Sequence, residues 1–320
     1  MLLNGIGFAL LQGRRWGEGI RRLEEALALV EKTESFGAIF TILGNLQLCM
    51  MKEARYADCL PILRKAISYQ ERFGTARDVA FNFLRLGGVY LRLNMLEAAA
   101  ECFQKGKTIA EEIRALDLVG WFRIMEGCCD RELGKAETAR RLFESMSQKT
   151  GEDEGSEVAD WARYFLADIS FEEGRFEESR NLLKTILREG GDEEFRVRKL
   201  LLEAKLMVRR EEYDRADSSL RDLESRCREN GFEEARWEVV QASADAALAS
   251  GRPIEAQERL QAAVEICDRL TAALPEEYRD RYLSQRDRKR LYKNWLPSRE
   301  ASFIGAPELI RLNRKRKKES

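Results

Sequence analysis

LGGVYLRLNMLEAAAECFQKG, from Leu86 to Gly106, sets two adjacent glycines and a tyrosine ahead of a run of small residues and closes on Phe103 and Gly106. A glycine inside a helix costs about 0.5–1 kcal/mol relative to alanine, so a helical stretch that keeps glycines at fixed places needs a contact that offsets the loss. Sliding the stretch along the chain brings up the same arrangement again and again. The bulky position of Phe103 recurs as Leu23, Leu63, Phe143, Leu183, Leu220 and Leu260, in steps of 40, 40, 40, 40, 37 and 40 residues along the whole series. Four residues before each stands a small side chain: Gly19, Cys59, Ala99, Ala139, Ser179, Ala216 and Ala256. Sixteen residues before stand Gly7, Gln47, Gly87, Gly127, Ala167, Ala204 and Ala244, where only Gln47 is large.

These spacings predict seven units, each of two amphipathic helices joined by a short turn such as Leu93-Asn94, Leu133-Gly134 or Glu173-Gly174. Antiparallel helices approach closely only where the side chains at the crossing are nearly absent, and the small residues mark those crossings. The bulky residue is expected to fill the gap between neighbouring units. An array also suits a chain of 320 residues, longer than one hydrophobic core normally serves.

At Leu86-Gly87, Tyr90, Ala99, Phe103 and Gly106, and again at Leu166, Ala167, Gly174, Phe176, Ser179 and Leu183, the sequence resembles the tetratricopeptide repeat family. The family's commonest unit is about 34 residues; the longer period here is similar to arrays in regulatory arms of bacterial signalling proteins. The resemblance implies an all-α, right-handed solenoid of about seven helix-turn-helix repeats over residues 1–270. Residues 271–296 are expected to form one charged capping helix, and 297–320 a linker-like basic tail.

Composition narrows the function. Lys plus Arg number 55 against 56 for Asp plus Glu, so no net field draws in nucleic acid or an anionic membrane. Six cations among Arg311, Arg314, Lys315, Arg316, Lys317 and Lys318 make the tail the one candidate for phosphate backbone, and no aromatic is interleaved with them. There is no histidine, which removes the usual general base and neutral metal ligand. Phosphate-loop and nucleophile-elbow motifs are missing. The acidic run Gly151 to Glu157 lacks the alternation of a calcium loop. Seven cysteines form no CxxC pair and read as reduced thiols of a cytoplasmic protein. A binding protein without catalysis, cofactor or metal is expected.

In the resembled family the first helix of each unit lines an inner groove where partners lie. Carrying that register over places Phe81, Leu84, Arg85, Gly88 and Arg92 of unit three there, with Trp121, Ile124, Met125 and Arg131 of unit four. Unit five supplies Trp161, Tyr164, Phe165 and Asp168, and unit six Leu201, Lys205 and Arg209. Aromatics flanked by cations are the usual make-up of protein-binding hot spots. The competing reading makes Trp121 and Trp161 core residues between helices. A clamp for acidic chaperone tails is not expected, because Asn45 and Arg85 match it while Asn4, Phe8 and Phe81 do not.

The chain opens inside a helical pattern with no capping residue, which suggests a segment of a longer protein. The expected function is therefore a protein- or peptide-binding regulatory or sensor arm of a larger bacterial signalling protein. The alternative is a free-standing scaffold or chaperone that assembles a complex.

Overall fold

A computed structural model describes residues 5, 15–33, 35–147, 157–186 and 192–303. The described residues form helices and turns only. The first helix α1 (Trp16–Val30) is the second half of unit one; Gly7, Asn4 and Phe8 lie outside the described residues. Units two to four follow as α2 (Phe36–Lys52) with α3 (Tyr56–Phe73), α4 (Ala76–Arg92) with α5 (Leu96–Glu112), and α6 (Leu116–Glu132) with α7 (Ala136–Ser147). Units five to seven are α8 (Glu157–Glu172) with α9 (Phe176–Lys184), α10 (Glu193–Arg209) with α11 (Tyr213–Asn230), and α12 (Glu233–Ala249) with α13 (Pro253–Ala272). Each helix packs on the next in order, as in a solenoid.

The turn inside each unit repeats one device. Ala54, Asn94, Gly134, Gly174, Glu211 and Gly251 all take a left-handed backbone, with φ between 53° and 78°. The amide that follows reaches back to close the helix: Met95 N–H donates to the Tyr90 carbonyl and Lys135 N–H to that of Asp130, both at 2.8 Å.

The crossings follow the size rule. A Cβ on Gly87 would stand 2.3 Å from the Phe103 ring, and one on Gly127 would stand 2.5 Å from Phe143. The bulky residue thus seats itself on the glycine of its own unit, and only its edge reaches onward, as where Phe103 meets Phe122 at 6.5 Å between centroids. Gly106 in turn makes room for Phe122 of the next unit. Gln47, the exception among the small slots, is buried and accepts a hydrogen bond from Arg85 at 2.7 Å, so a polar bond occupies the place that size fills elsewhere.

The array curves until its ends meet. Trp16 and the Lys52 carbonyl lie against Gly231, and the Lys52 ammonium sits 4.2 Å from the Phe232 ring. Arg92 pairs with Glu194 at 3.1 Å across 102 residues of sequence.

The C-terminal region differs from the single capping helix expected over 271–296. It is two helices, α14 (Glu276–Leu283) and α15 (Arg286–Phe303), and α15 runs past 297, where the tail was expected to begin. The break has a physical cause. Tyr282 and Arg288 converge on one buried carboxylate, Glu234, with Tyr282 Oη at 2.5 Å and Arg288 Nη2 at 3.0 Å, and the chain must bend at Ser284 for both to arrive. While α15 packs on α13, the elbow reaches across the ring: Asn94 donates to Ser284 at 2.7 Å, Gln285 to Glu132 at 3.2 Å, and Arg286 to Glu172 at 2.7 Å. The basic run from Arg311 and residues 151–156 of the acidic run lie outside the described residues.

Candidate functional site

The inner helices line a cavity of about 600 Å³. One slot of the repeat supplies its wall in six consecutive units: Leu48, Gly88, Cys128, Asp168, Lys205 and Asp245 all face it. The slot is on the first helix of each unit, so the turn and crossing geometry that fixes those helices also aims this position inward.

Of the residues expected in the groove, Arg85 and Arg92 on α4 and Met125 and Arg131 on α6 line the cavity. Trp161, Tyr164 and Phe165 on α8 and Lys205 on α10 do so too. Six expected residues are elsewhere: Ile124 and Leu201 are buried in the core between helices, Leu84 packs half-buried against it, and three more have other surroundings. Phe81 is 40% exposed and carries the Arg85 guanidinium 4.4 Å from its ring centre, outside the cavity. Trp121 packs edge-on against Trp161 at 6.3 Å within the cluster around Phe143, so the core reading applies to it in part. Arg209 is exposed and lies over the Phe171 and Phe176 rings at 5.9 and 5.5 Å, toward the turn of unit five. Both Phe81 and Trp121 occupy the slot a turn ahead of Arg85 and Met125, which reaches the cavity only from unit five onward, as Trp161, Arg198 and Glu238.

Most cavity charges are paired. Arg131 bridges Asp168 at 2.5 Å and Glu172 at 2.9 Å. Burial disfavours the Asp168 carboxylate, but Arg131 and Lys205 overcome it and hold its pKa below the usual value. Glu194 takes Arg92 at 3.1 Å and Arg198 at 3.2 Å; against the cost of burial these cations bring its pKa down to about 2. Arg85 differs, because burial lowers its pKa and its hydrogen-bond partner is the neutral Gln47. Cys59 and Cys128 border the cavity with thiols pushed by burial up to about 12, so both are protonated at neutral pH.

The wall of α12 was not foreseen. Trp237, Glu238, Gln241, Ala242 and Asp245 all line the cavity, and Glu238, Gln241 and Asp245 occupy the slots of Trp161, Tyr164 and Asp168 two units on. Extending the register by one more unit finds them. Asp287, Arg288 and Arg290 of the elbow had no such signal, since α15 lies outside the repeat.

Among the described residues, no group of His, Cys, Asp or Glu side chains is placed to hold a metal, and no helix is long and apolar enough to cross a membrane.

Paired helices stacked at a constant period around an internal cavity define a helical-repeat solenoid. Residues 131–206 match the tetratricopeptide repeat family. The fold of the described residues is an all-α solenoid like that of tetratricopeptide repeats. No curated protein matches the sequence. Among solved structures, the Rap conjugation gene regulator of the plasmid pLS20, in complex with the Phr* peptide, is similar at a TM-score of 0.65 and 14% identity, over 85% of this chain and 75% of that one. NprR in complex with its cognate peptide NprX is similar at a TM-score of 0.60 and 13% identity, over 91% and 84%. The apo form of RapI is similar at a TM-score of 0.62 and 12% identity, over 85% and 98%. At these identities the likeness is one of fold.

Proposed function

We propose that the cavity receives an extended peptide and that the chain is the sensor or regulatory arm of a bacterial signalling protein. The observation that carries this reading is the single slot, Leu48 to Asp245, which opens on one shared space in six successive units. A space walled by repeating helices suits a ligand that is itself a repeating backbone, and Trp161, Tyr164 and Phe165 offer rigid apolar anchors within it. Two solved structures of similar fold hold peptides, the Rap regulator with Phr* and NprR with NprX. A ligand contacting both α4 and α12 would change the balance between open and closed forms of the ring, which is how binding would be passed to an attached module.

The test is retention of peptides from a random heptapeptide pool by the full chain, read by mass spectrometry. Trp161→Ala with Tyr164→Ala is expected to weaken the retained peptides by at least about 1–2 kcal/mol. Because both rings also pack on Phe195, Lys205→Ala serves as a second variant that leaves the core intact. Undiminished retention by both variants removes the cavity as the site, and no retention by the unaltered chain removes the reading.

A further inference from the structure

The inner face of α12 carries more polar groups than its neighbours satisfy. Glu238, Gln241 and Asp245 follow one another at intervals of three and four residues, so they share one face of the helix, and all three line the cavity. Gln241 is 95% buried by its 5% exposure, yet among the described residues its side-chain amide has no hydrogen-bond partner and opens only on the cavity. An amide so placed can bond a group in the cavity without breaking a contact within the protein. Asp245, one turn further along and exposed at the cavity, makes no ion pair or hydrogen bond with any described residue. Glu238 stands 4.0 Å from Arg198, which lies nearer to Glu194, at 3.2 Å. Three further cations act on this side: Arg290, which pairs with Asp287 at 3.2 Å, Arg209, which lies over the Phe171 and Phe176 rings, and Lys205. Lys205 interacts with Asp168, Glu238 and Asp245 together and is in contact with none of them.

We infer that Asp245 and Gln241 form a subsite for a cationic nitrogen of the ligand, with Glu238 extending the negative surface beside it, so that the peptide this cavity takes carries an amino terminus, lysine or arginine at that point. The carboxylate supplies the charge and the Gln241 carbonyl oxygen a second acceptor, an arrangement suited to a group with several N–H donors. Burial raises the pKa of both carboxylates; Arg198 and Lys205 offset this only in part for Glu238, and Lys205, Arg290 and Arg209 only in part for Asp245. The inference rests on the peptide-receptor reading and names the chemistry of its ligand.

Three heptapeptide pools test it on the full chain: free amino terminus with all residues, amino terminus acetylated with all residues, and acetylated without lysine or arginine. The unaltered chain is expected to retain peptides from pools containing cations and to discriminate against the third. The first two pools tell an amino-terminal from a side-chain cation. Asp245→Asn is expected to weaken the retained cationic peptides by about tenfold or more, and Gln241→Leu to weaken them by less, with folding followed by circular dichroism. Equal retention from all three pools, or retention of cationic peptides unaffected by Asp245→Asn, overturns the subsite and leaves the receptor reading standing. No retention from any pool overturns both.

Discussion

The wall built by α4, α6 and α8 and the wall built by α12 come from the same repeat and have opposite economies of charge. On the first, aromatic rings alternate with cations, and Arg131 divides itself between Asp168 and Glu172. On the second, Asp245 and Gln241 have no ion-pair or hydrogen-bond partner among the described residues and stand beside Glu238. The difference shows that the repeat constrains two sets of positions unequally. Slots at the helix crossings are governed by size and tolerate little; slots facing the cavity are governed by direction alone and accept Leu48, Gly88, Cys128, Asp168, Lys205 or Asp245.

The largest effect should come from cutting the buried link between the two walls. Arg288→Ala leaves Glu234 charged and short of its main partner, and chemical denaturation is expected to show a loss of about 3–5 kcal/mol. Retained stability would mean that Tyr282 and Arg92 hold Glu234 without Arg288.

Two adjacent glycines separate the slot types on one helix. Gly87→Ala forces the buried Phe103 ring aside and is expected to cost about 1–3 kcal/mol, whereas Gly88→Ala meets nothing within 4 Å and is expected to stabilise by about 0.5–1 kcal/mol. Equal effects at the two positions would erase the distinction between crossing and cavity slots.

The smallest effects are in pH dependence, and they run in opposite senses on the two walls. Glu194 is held down from 4.5 to about 2, so its ionised form stabilises the fold above its ordinary value and that contribution is lost as pH falls through about 2. Glu194→Gln should therefore destabilise at pH 7, with the deficit shrinking as the solution is acidified through that window. Asp245 is raised above its ordinary 3.8, so its charge works against the fold at neutral pH and costs nothing once it is protonated in both states. Asp245→Asn should give a slight gain at pH 7 that fades toward pH 3.8. Melting curves for both variants from pH 7 down to about 2 check the signs.

What the sequence disclosed follows the same division. Gly87 with Phe103 and Gly127 with Phe143 were legible because a steric rule leaves a mark in residue size at a constant spacing. The direction of Arg85, Met125, Trp161 and Lys205 was legible through register, while Phe81 and Trp121, one turn earlier, fall outside because the cavity shifts along the helices from unit to unit. The elbow at Ser284 was not legible. It depends on Glu234 being met by Tyr282 and Arg288 from 48 and 54 residues away, and no local pattern records a meeting of that kind.

The bond from Asn94 to Ser284 spans 190 residues in an architecture whose units ordinarily speak only to their neighbours. A plain stack of such units frays from its ends and survives the deletion of one of them. A stack fastened through its middle behaves as a hoop, in which damage to the third unit is felt by the last helices and melting becomes a single event instead of an unzipping.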